Sequence, residues 1–431
     1  MTMKSSAWAG MILFAYDCAL YLLLPFYILA GACIGIWNPA GFQRWFARLG
    51  WGWALRELPK EALWLHAVSV GEVAMSAILL PYIRAEHGNR AIILSCTTAS
   101  GFAMAKKKFG ADFPVFFAPL DTACVIRRFF CVLKPKALAV AEMELWPNLF
   151  KYAGIYSVPL IIYNARMPDA DWRRYARFKT LFARVLLPVR LIAAQSAEDA
   201  SRYCDIGAAI DRIQLVGNIK CDLDLPPAKS AFRFADAAPV IVLASSHPGE
   251  EALVLDVFAL LAAASVRARL VIAPRNIARA KRVARMAARR GLRAVLRSRS
   301  RGREPFDADV LVLDSIGELI AAYSAARLVI IGGSFTKRVG GHNPLEAAAA
   351  ARPIIFGPYM ANFRESRVAL LAGDAAREIC NRDDLLSAVR AWLGDPQLAK
   401  ETGERAHAVL KSLRGAAKRT AFLITNYVYR R

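Results

Sequence analysis

The sequence predicts an α/β protein built from two successive doubly wound units, each a parallel sheet covered on both faces by helices, behind an N-terminal apolar helix. Three observations predict it. The 431 residues exceed one core and suit domains of about 100 to 200 residues each. From residue 60 onward short apolar runs alternate with amphipathic segments, interrupted once, between residues 222 and 238. Before that, the twenty residues from Cys18 to Trp37 contain only Pro25, Gly31 and Gly35 outside the hydrophobic set, about the length that spans a hydrocarbon core.

Residues 1–45 therefore read as a membrane anchor. A cleavable signal peptide has a shorter apolar region and a small-residue cleavage site, so the segment is expected to be retained. Asp17 is out of place in it, and is expected at an interface or in a stretch lying in the headgroup plane. Arg44, Arg48, Arg56 and Lys60 follow the segment and only Lys4 precedes it, which by the positive-inside tendency puts the large C-terminal region in the cytoplasm. A buried core helix is the structural alternative.

Composition narrows the function classes. With 56% hydrophobic residues and a mean hydropathy of +0.31 the chain is no disordered polyelectrolyte, and part of it is expected to meet lipid. Lys plus Arg is 58 against 35 Asp plus Glu, and the net charge of +23 asks for anionic partners: nucleic acid, phospholipid or phosphorylated substrates. No reader module or basic segment interleaved with stacking aromatics supports nucleic acid. The eight cysteines form no C-x-x-C pair and no cluster with the five histidines, so neither zinc site nor disulfide framework is expected, and the thiols read as reduced and mostly buried.

In the first unit, residues 46–221, the strands are LWLHAV, AIILS, PVFFA, ALAVAE, VPLIIYN, RLIAAQ and RIQLVGN. The stretch DLDLPPAKSAFRFADAA, residues 222–238, has paired prolines and little periodicity and reads as a linker. Residues 239–431 restart the pattern with PVIVLASS, RLVIAP, DVLVLD, RLVIIGG and RPIIFG, and their last helix is a candidate to pack back on the first unit. Doubly wound sheets bind ligands beyond the carboxyl ends of their strands, so a cleft between two lobes is expected to hold the substrates.

Each candidate site residue lies at such an end. Glu72, in SVGE, stands in the first turn of a helix after a strand; it is either a dipole-complementing residue or a base able to take a hydroxyl proton. Glu142 and Glu144, in AEMELWPN, end another strand, and at most one is expected to turn into the cleft. Asn164 and Arg166 follow the next strand and together suit an anionic group, the duller alternative being an arginine that merely faces solvent. In the second unit ASSHPGEE and RLVIIGGSF present turn amides suited to phosphate, though a lone glycine pair is weak evidence. GGHNPLE supplies a helix start with Asn343 as cap, Pro344 in first position and Glu346 as reciprocal capping partner. Arg275 ends a strand before a basic helix, and no acidic residue occurs between Arg275 and Arg303, a charge that also attracts anionic lipid.

Taken in order, SVGE, ELWPN, NAR, GNIKCD, SSHPGEE, Pro274-Arg275, D-x-x-GEL at Asp314 to Leu319, and GGSF with GGHNPLEAA resemble the bacterial 3-deoxy-D-manno-octulosonic acid (Kdo) transferases of lipopolysaccharide biosynthesis, over residues 60–370. The resemblance implies a GT-B glycosyltransferase of two Rossmann-like domains that moves Kdo from CMP-Kdo to a tetra-acylated lipid A precursor, with inversion and without an obligatory metal or other cofactor, on the cytoplasmic face of the inner membrane. It implies Glu72 as general base and Glu142 or Glu144 with Arg166 shaping the acceptor and sugar site. By the same resemblance Lys220 reaches the sugar carboxylate or phosphate, and Ser246, His247, Arg275, Gly333, Ser334, Gly341, Asn343 and Glu346 line the CMP site. Two departures stand out: Asn276 occupies a position where the family usually carries His, and Ser245-Ser246-His247 replaces Ser-Thr-His. The competing readings are a GT-B transferase using a UDP-sugar and a lipid acceptor, and a membrane-anchored, non-catalytic protein binding anionic lipid.

Overall fold

The computed structural model describes residues 3–50, 55–224, 232–300 and 305–429. The chain forms two compact units: residues 223–413 make the second, and everything before Leu223, together with the segment from Arg414 onward, makes the first.

The first unit is a seven-stranded, all-parallel sheet in the order β3-β2-β1-β4-β5-β6-β7, with β1 (Leu63–Ala67), β2 (Ile92–Cys96), β3 (Val115–Phe117), β4 (Ala137–Ala141), β5 (Leu160–Ala165), β6 (Val189–Ala194) and β7 (Ile213–Leu215). The apolar runs form strands because both faces are covered. Leu63, Leu65 and Ala67 of β1 enter one core and Trp64 the other. The strand order reverses between β1 and β4, and doubly wound sheets bind ligands at such a switch point.

The last helix, Ala416–Tyr429, belongs to this unit. Ala416, Ala417, Ala421 and Ile424 share a core with the helix Val70–His87, and the Asp222 carboxylate accepts the Gly415 and Ala417 amides at 2.5 and 2.6 Å. One buried aspartate thus fixes both the exit from the first unit and the return to it.

The N-terminal helix, Met3–Trp37, is long and apolar enough over Ala7–Trp37 to cross a membrane, and only 6% of its most apolar window is buried, which removes the core-helix alternative. Its inner face docks on the first unit, and that docking accounts for Asp17. Asn148 Nδ2 donates to Asp17 Oδ1 at 2.7 Å, Lys151 Nζ stands 3.4 Å from its other oxygen, and the neighbouring Tyr16 hydroxyl donates to buried Asp121 at 2.9 Å. The charge that looked misplaced in a lipid-facing segment is paired with protein.

In the second unit β8 (Val240–Ser246), β9 (Arg269–Pro274), β10 (Ala294–Leu296), β11 (Val310–Val312), β12 (Ala326–Ile331), β13 (Ile354–Phe356) and β14 (Ala376–Glu378) form another parallel sheet in the order β10-β11-β9-β8-β12-β13-β14, reversing between β8 and β12. Of the linker expected over residues 222–238, residues 225–231 lie outside the described residues. Its later part is integral to the second unit: Ala235 N donates to Phe306 O at 3.0 Å, and Asp236 pairs with Arg269.

The cysteines correct the sequence expectation. All eight are free, but only Cys96 and Cys221 are buried and five are exposed. Cys18 and Cys33 lie on the apolar helix, where an exposed thiol suits a lipid-facing surface.

Candidate active site

At the switch point of the first sheet, β1 ends at Ala67 and the chain enters the helix Val70–His87 with Glu72 in its first turn. The turn fixes the carboxylate: Oε2 accepts the Val68 amide at 2.7 Å and Oε1 the Ser69 hydroxyl at 3.1 Å. Glu72 is 8% exposed. Burial raises its pKa from the usual carboxylate range to about 8; the charges of Glu142 and Glu144 push the same way, and the Val68 and Ser69 bonds only partly oppose it.

Both of those glutamates therefore bear on Glu72, which corrects the expectation that at most one turns in. Residues two apart share a face of an extended chain, and the chain also leaves the strand here. Glu142 follows β4 with φ 54°, in the left-handed region costly for a non-glycine residue. Its amide donates to Tyr163 O at 2.9 Å and its carbonyl accepts the Tyr203 hydroxyl at 3.1 Å, so the strained turn is clamped on both sides. Glu144 accepts the Trp146 indole N–H at 3.0 Å, and burial, then the Glu142 charge, raises its pKa.

Lys220 joins this cluster, its Nζ 2.8 Å from Glu142 Oε1. Its turn is held by Asn164, which the sequence offered, with Arg166, as a residue able to hold an anionic group. Asn164 is fully buried in β5, with φ 51°, and its Oδ1 accepts the Ile219 amide at 2.9 Å. It positions Lys220 instead of meeting solvent. Arg166, one residue beyond β5, is half-buried.

In the second unit the turns after β8 and β12 come together. Gly332 passes so close to β8 that a Cβ would stand 2.5 Å from Ser245 O and 2.7 Å from Ala244 O, so only glycine fits. The amides expected for phosphate are already engaged. Glu250, two percent exposed at the start of the helix Glu250–Ala263, accepts the His247 and Gly333 amides at 2.8 Å each and the Phe335 amide at 3.2 Å. Gly341 N donates to Gly333 O at 2.9 Å. Ser246 and Ser334 are buried as well: Ser246 Oγ donates to Glu251 at 3.1 Å, and Ser334 Oγ donates to Ile331 O at 2.5 Å while accepting the Gly357 amide at 2.8 Å. These residues shape the turns, and their polar groups are committed to protein.

The groups left facing outward are side chains. His247 and His342 stack with ring planes 16° apart and their Nε2 atoms 2.8 Å apart, so one ring donates and the other accepts. Burial lowers the His342 pKa to about 4, helped by the charges of His247 and Arg275. Arg275 itself is exposed, with its amide donating to Ser246 O at 3.0 Å. The helix Leu345–Ala349 starts one residue later than expected, with Pro344 rather than Asn343 at the N-cap position; Asn343 Oδ1 still accepts the Leu345 amide at 3.0 Å, in the turn that leads into the helix. Burial raises the pKa of Glu346, and the Asn343 side chain opposes the shift. Asn276, the departure from the usual His, uses its Oδ1 to accept the Ala278 amide at 3.1 Å.

Sequence reasoning missed two residues here. His342 went unnoticed inside GGHNPLE, although a second histidine 95 residues from His247 was visible. Glu250 looked like an ordinary acidic residue at a helix start, and nothing local signals that its carboxylate bridges two strand-end turns. Among the described residues no group of three or more His, Cys, Asp or Glu side chains is placed to hold a metal ion.

A family model described as 3-deoxy-D-manno-octulosonic-acid transferase (kdotransferase) matches residues 43–223. The 3-deoxy-D-manno-octulosonic acid transferase of Haemophilus influenzae is 29% identical over 424 residues, 97% of this chain and 99% of its own length. That of Bordetella pertussis is 33% identical over 388 residues, 87% of this chain and 89% of its own. A glycosyltransferase from Rickettsia africae superposes with a TM-score of 0.59 at 12% identity over 86% of this chain and 98% of its own, and the glycotransferase of kitacinnamycin with 0.51 at 14% over 85% and 99%; these likenesses carry the GT-B fold alone. With a third of its residues shared across most of its length with the Bordetella protein, the chain belongs to the Kdo transferase family and is a glycosyltransferase.

Proposed function

We propose that the enzyme transfers Kdo from CMP-Kdo to a tetra-acylated lipid A precursor, lipid IVA, with inversion and with no obligatory metal, at the cytoplasmic face of the inner membrane. The observation that carries this reading is Glu72: a buried carboxylate at a sheet switch point, raised to about 8 by burial and by two flanking carboxylates. A base with that pKa is matched to taking a proton from a hydroxyl near neutral pH. The acceptor hydroxyl gives its proton to Glu72 as its oxygen bonds the anomeric carbon of Kdo, and the bond from that carbon to the CMP phosphate oxygen breaks on the opposite face. In the second unit, Arg275 and the His247–His342 pair offer the cation and the N–H donors that a departing CMP phosphate calls for. Lys220, bonded to Glu142 beside Glu72, offers a cation for the sugar carboxylate. The membrane-length helix and the excess of basic residues suit a lipid acceptor and an anionic lipid surface.

The test is mass spectrometry of lipid IVA after incubation with the purified protein and CMP-Kdo generated in situ, with and without EDTA. Addition of one or more Kdo masses in both samples is the expected outcome, and the mass counts the sugars added. Unmodified lipid, with folded enzyme and intact donor demonstrated, sinks the reading; inhibition by UDP in place of CMP then favours a UDP-sugar donor.

A further inference from the structure

Beside the carboxylate cluster the first unit carries an open-sided cavity of about 460 Å³. Its walls are Leu13 of the membrane-length helix, Leu145 of the turn after β4, and Leu181, Phe182 and Val185 of the helix Lys179–Leu186. That volume lies within the ~300–1,000 Å³ typical of small-ligand sites. Its chemistry is selective. Among the residues that line it the one charged group is Glu144, and no cation faces in. A nucleotide or sugar phosphate finds no partner there, whereas a hydrocarbon chain does.

Two features identify whose chain it is. One wall belongs to the helix that is long and apolar enough to cross a membrane, and the neighbouring Met11 and Phe14 are 64% and 71% exposed on it, so the cavity adjoins a lipid-facing surface. Glu144 is shared: it lines the cavity, and its charge acts on Glu72. An amphiphile with its tail in this cavity has its head group beside the proposed base.

We infer that the cavity seats one acyl chain of the lipid acceptor, and thereby both positions the acceptor at Glu72 and sets a limit on that chain's length. The inference rests on the reading of a lipid acceptor given above and adds to it a site for the tail.

Leu181→Trp and Leu13→Trp fill the cavity from separate helices, so one variant carries the test if the other fails to fold. Each is assayed as the full chain with tetra-acylated acceptor, with the same disaccharide bearing shortened acyl chains, and with the deacylated disaccharide. The expected result is a fall of about tenfold in the ratio of kcat/KM for acylated over deacylated acceptor, what excluding about two methylenes from an apolar seat amounts to, with shortened chains recovering the ratio. A ratio equal to that of the unmodified enzyme in both folded variants overturns the inference, as does an equal loss on all three acceptors. Loss of binding to acceptor-free phosphatidylethanolamine and phosphatidylglycerol vesicles, with the ratio intact, assigns the cavity to bulk lipid and overturns it too. Absence of transfer by the unmodified enzyme to any of the three acceptors is a different result, which defeats the transferase reading and this one with it.

Discussion

The two sheets place a glutamate at equivalent points, in the first turn of the helix that follows a strand at the switch point, and surround it in opposite ways. Glu72 follows β1 and Glu250 follows β8. Burial raises the pKa of both. Glu250 has three backbone amides as donors and the charge of His247 beside it, so its carboxylate is spent holding two turns together. Glu72 has one amide and one hydroxyl, and its charged neighbours are two further carboxylates. The number of donors and the sign of the neighbours, rather than burial, separate the brace from the proposed base.

Exchanging these roles by mutation is the most direct attack on that contrast. Glu72→Gln is expected to lower kcat by about 10²–10⁴, the usual worth of a general base, while donor binding and the fold hold; retained turnover removes Glu72 from its role. Glu250→Ala is expected to act on stability, at about 3 kcal/mol, because it orphans one buried and two part-buried amides at ~1 kcal/mol each, the low end of the usual range. Denaturant titration reads this, and a Glu250→Ala protein of unchanged stability but lost turnover breaks the comparison. Gly332→Ala forces a Cβ against two β8 carbonyls and is expected to cost about 2 kcal/mol in the same titration.

Titration sharpens the contrast. Glu72 works deprotonated, so kcat/KM should rise with pH through about 8, and Glu142→Gln, which removes a negative neighbour, should move that midpoint down. Stability runs the other way. A folded-state pKa raised from 4.5 to about 8 means the native protein holds a proton that the unfolded chain releases, so this contribution is full below pH 4.5 and is lost as pH rises through about 8. Glu72→Gln should flatten that slope in denaturant titrations at several pH values. The smallest expected effect is that of Asp17→Ala, about 1 kcal/mol from the bond to Asn148, with faster proteolysis around the N-terminal helix and little change in turnover.

The strands were legible because both sheets are buried on both faces, which writes them as continuous apolar runs; LWLHA is fully buried as β1. Glu72, Glu142 and Glu144 were legible because strand ends of such sheets are where ligands bind, a rule that needs no coordinates. The rule identifies places and not partners. Ser246, Gly333 and Ser334 stand where expected, yet their polar groups face protein, and Asn164, expected beside an anion, braces the Lys220 turn.

By itself the sequence determined the two-unit α/β architecture, the apolar helix, the candidate base and, through eight motifs in order, the family, since each of these is written in local periodicity or in contiguous residues. Tertiary structure alone decided that Asp17 pairs with Asn148, that Lys220 pairs with Glu142 78 residues away, that Glu250 ties the turns after β8 and β12, and that the last helix returns to the first unit. Each of those depends on donors brought together from distant strands. The free energy of a buried carboxylate is set by the charges and N–H groups that folding places around it, and these cannot be read from its neighbours in the chain.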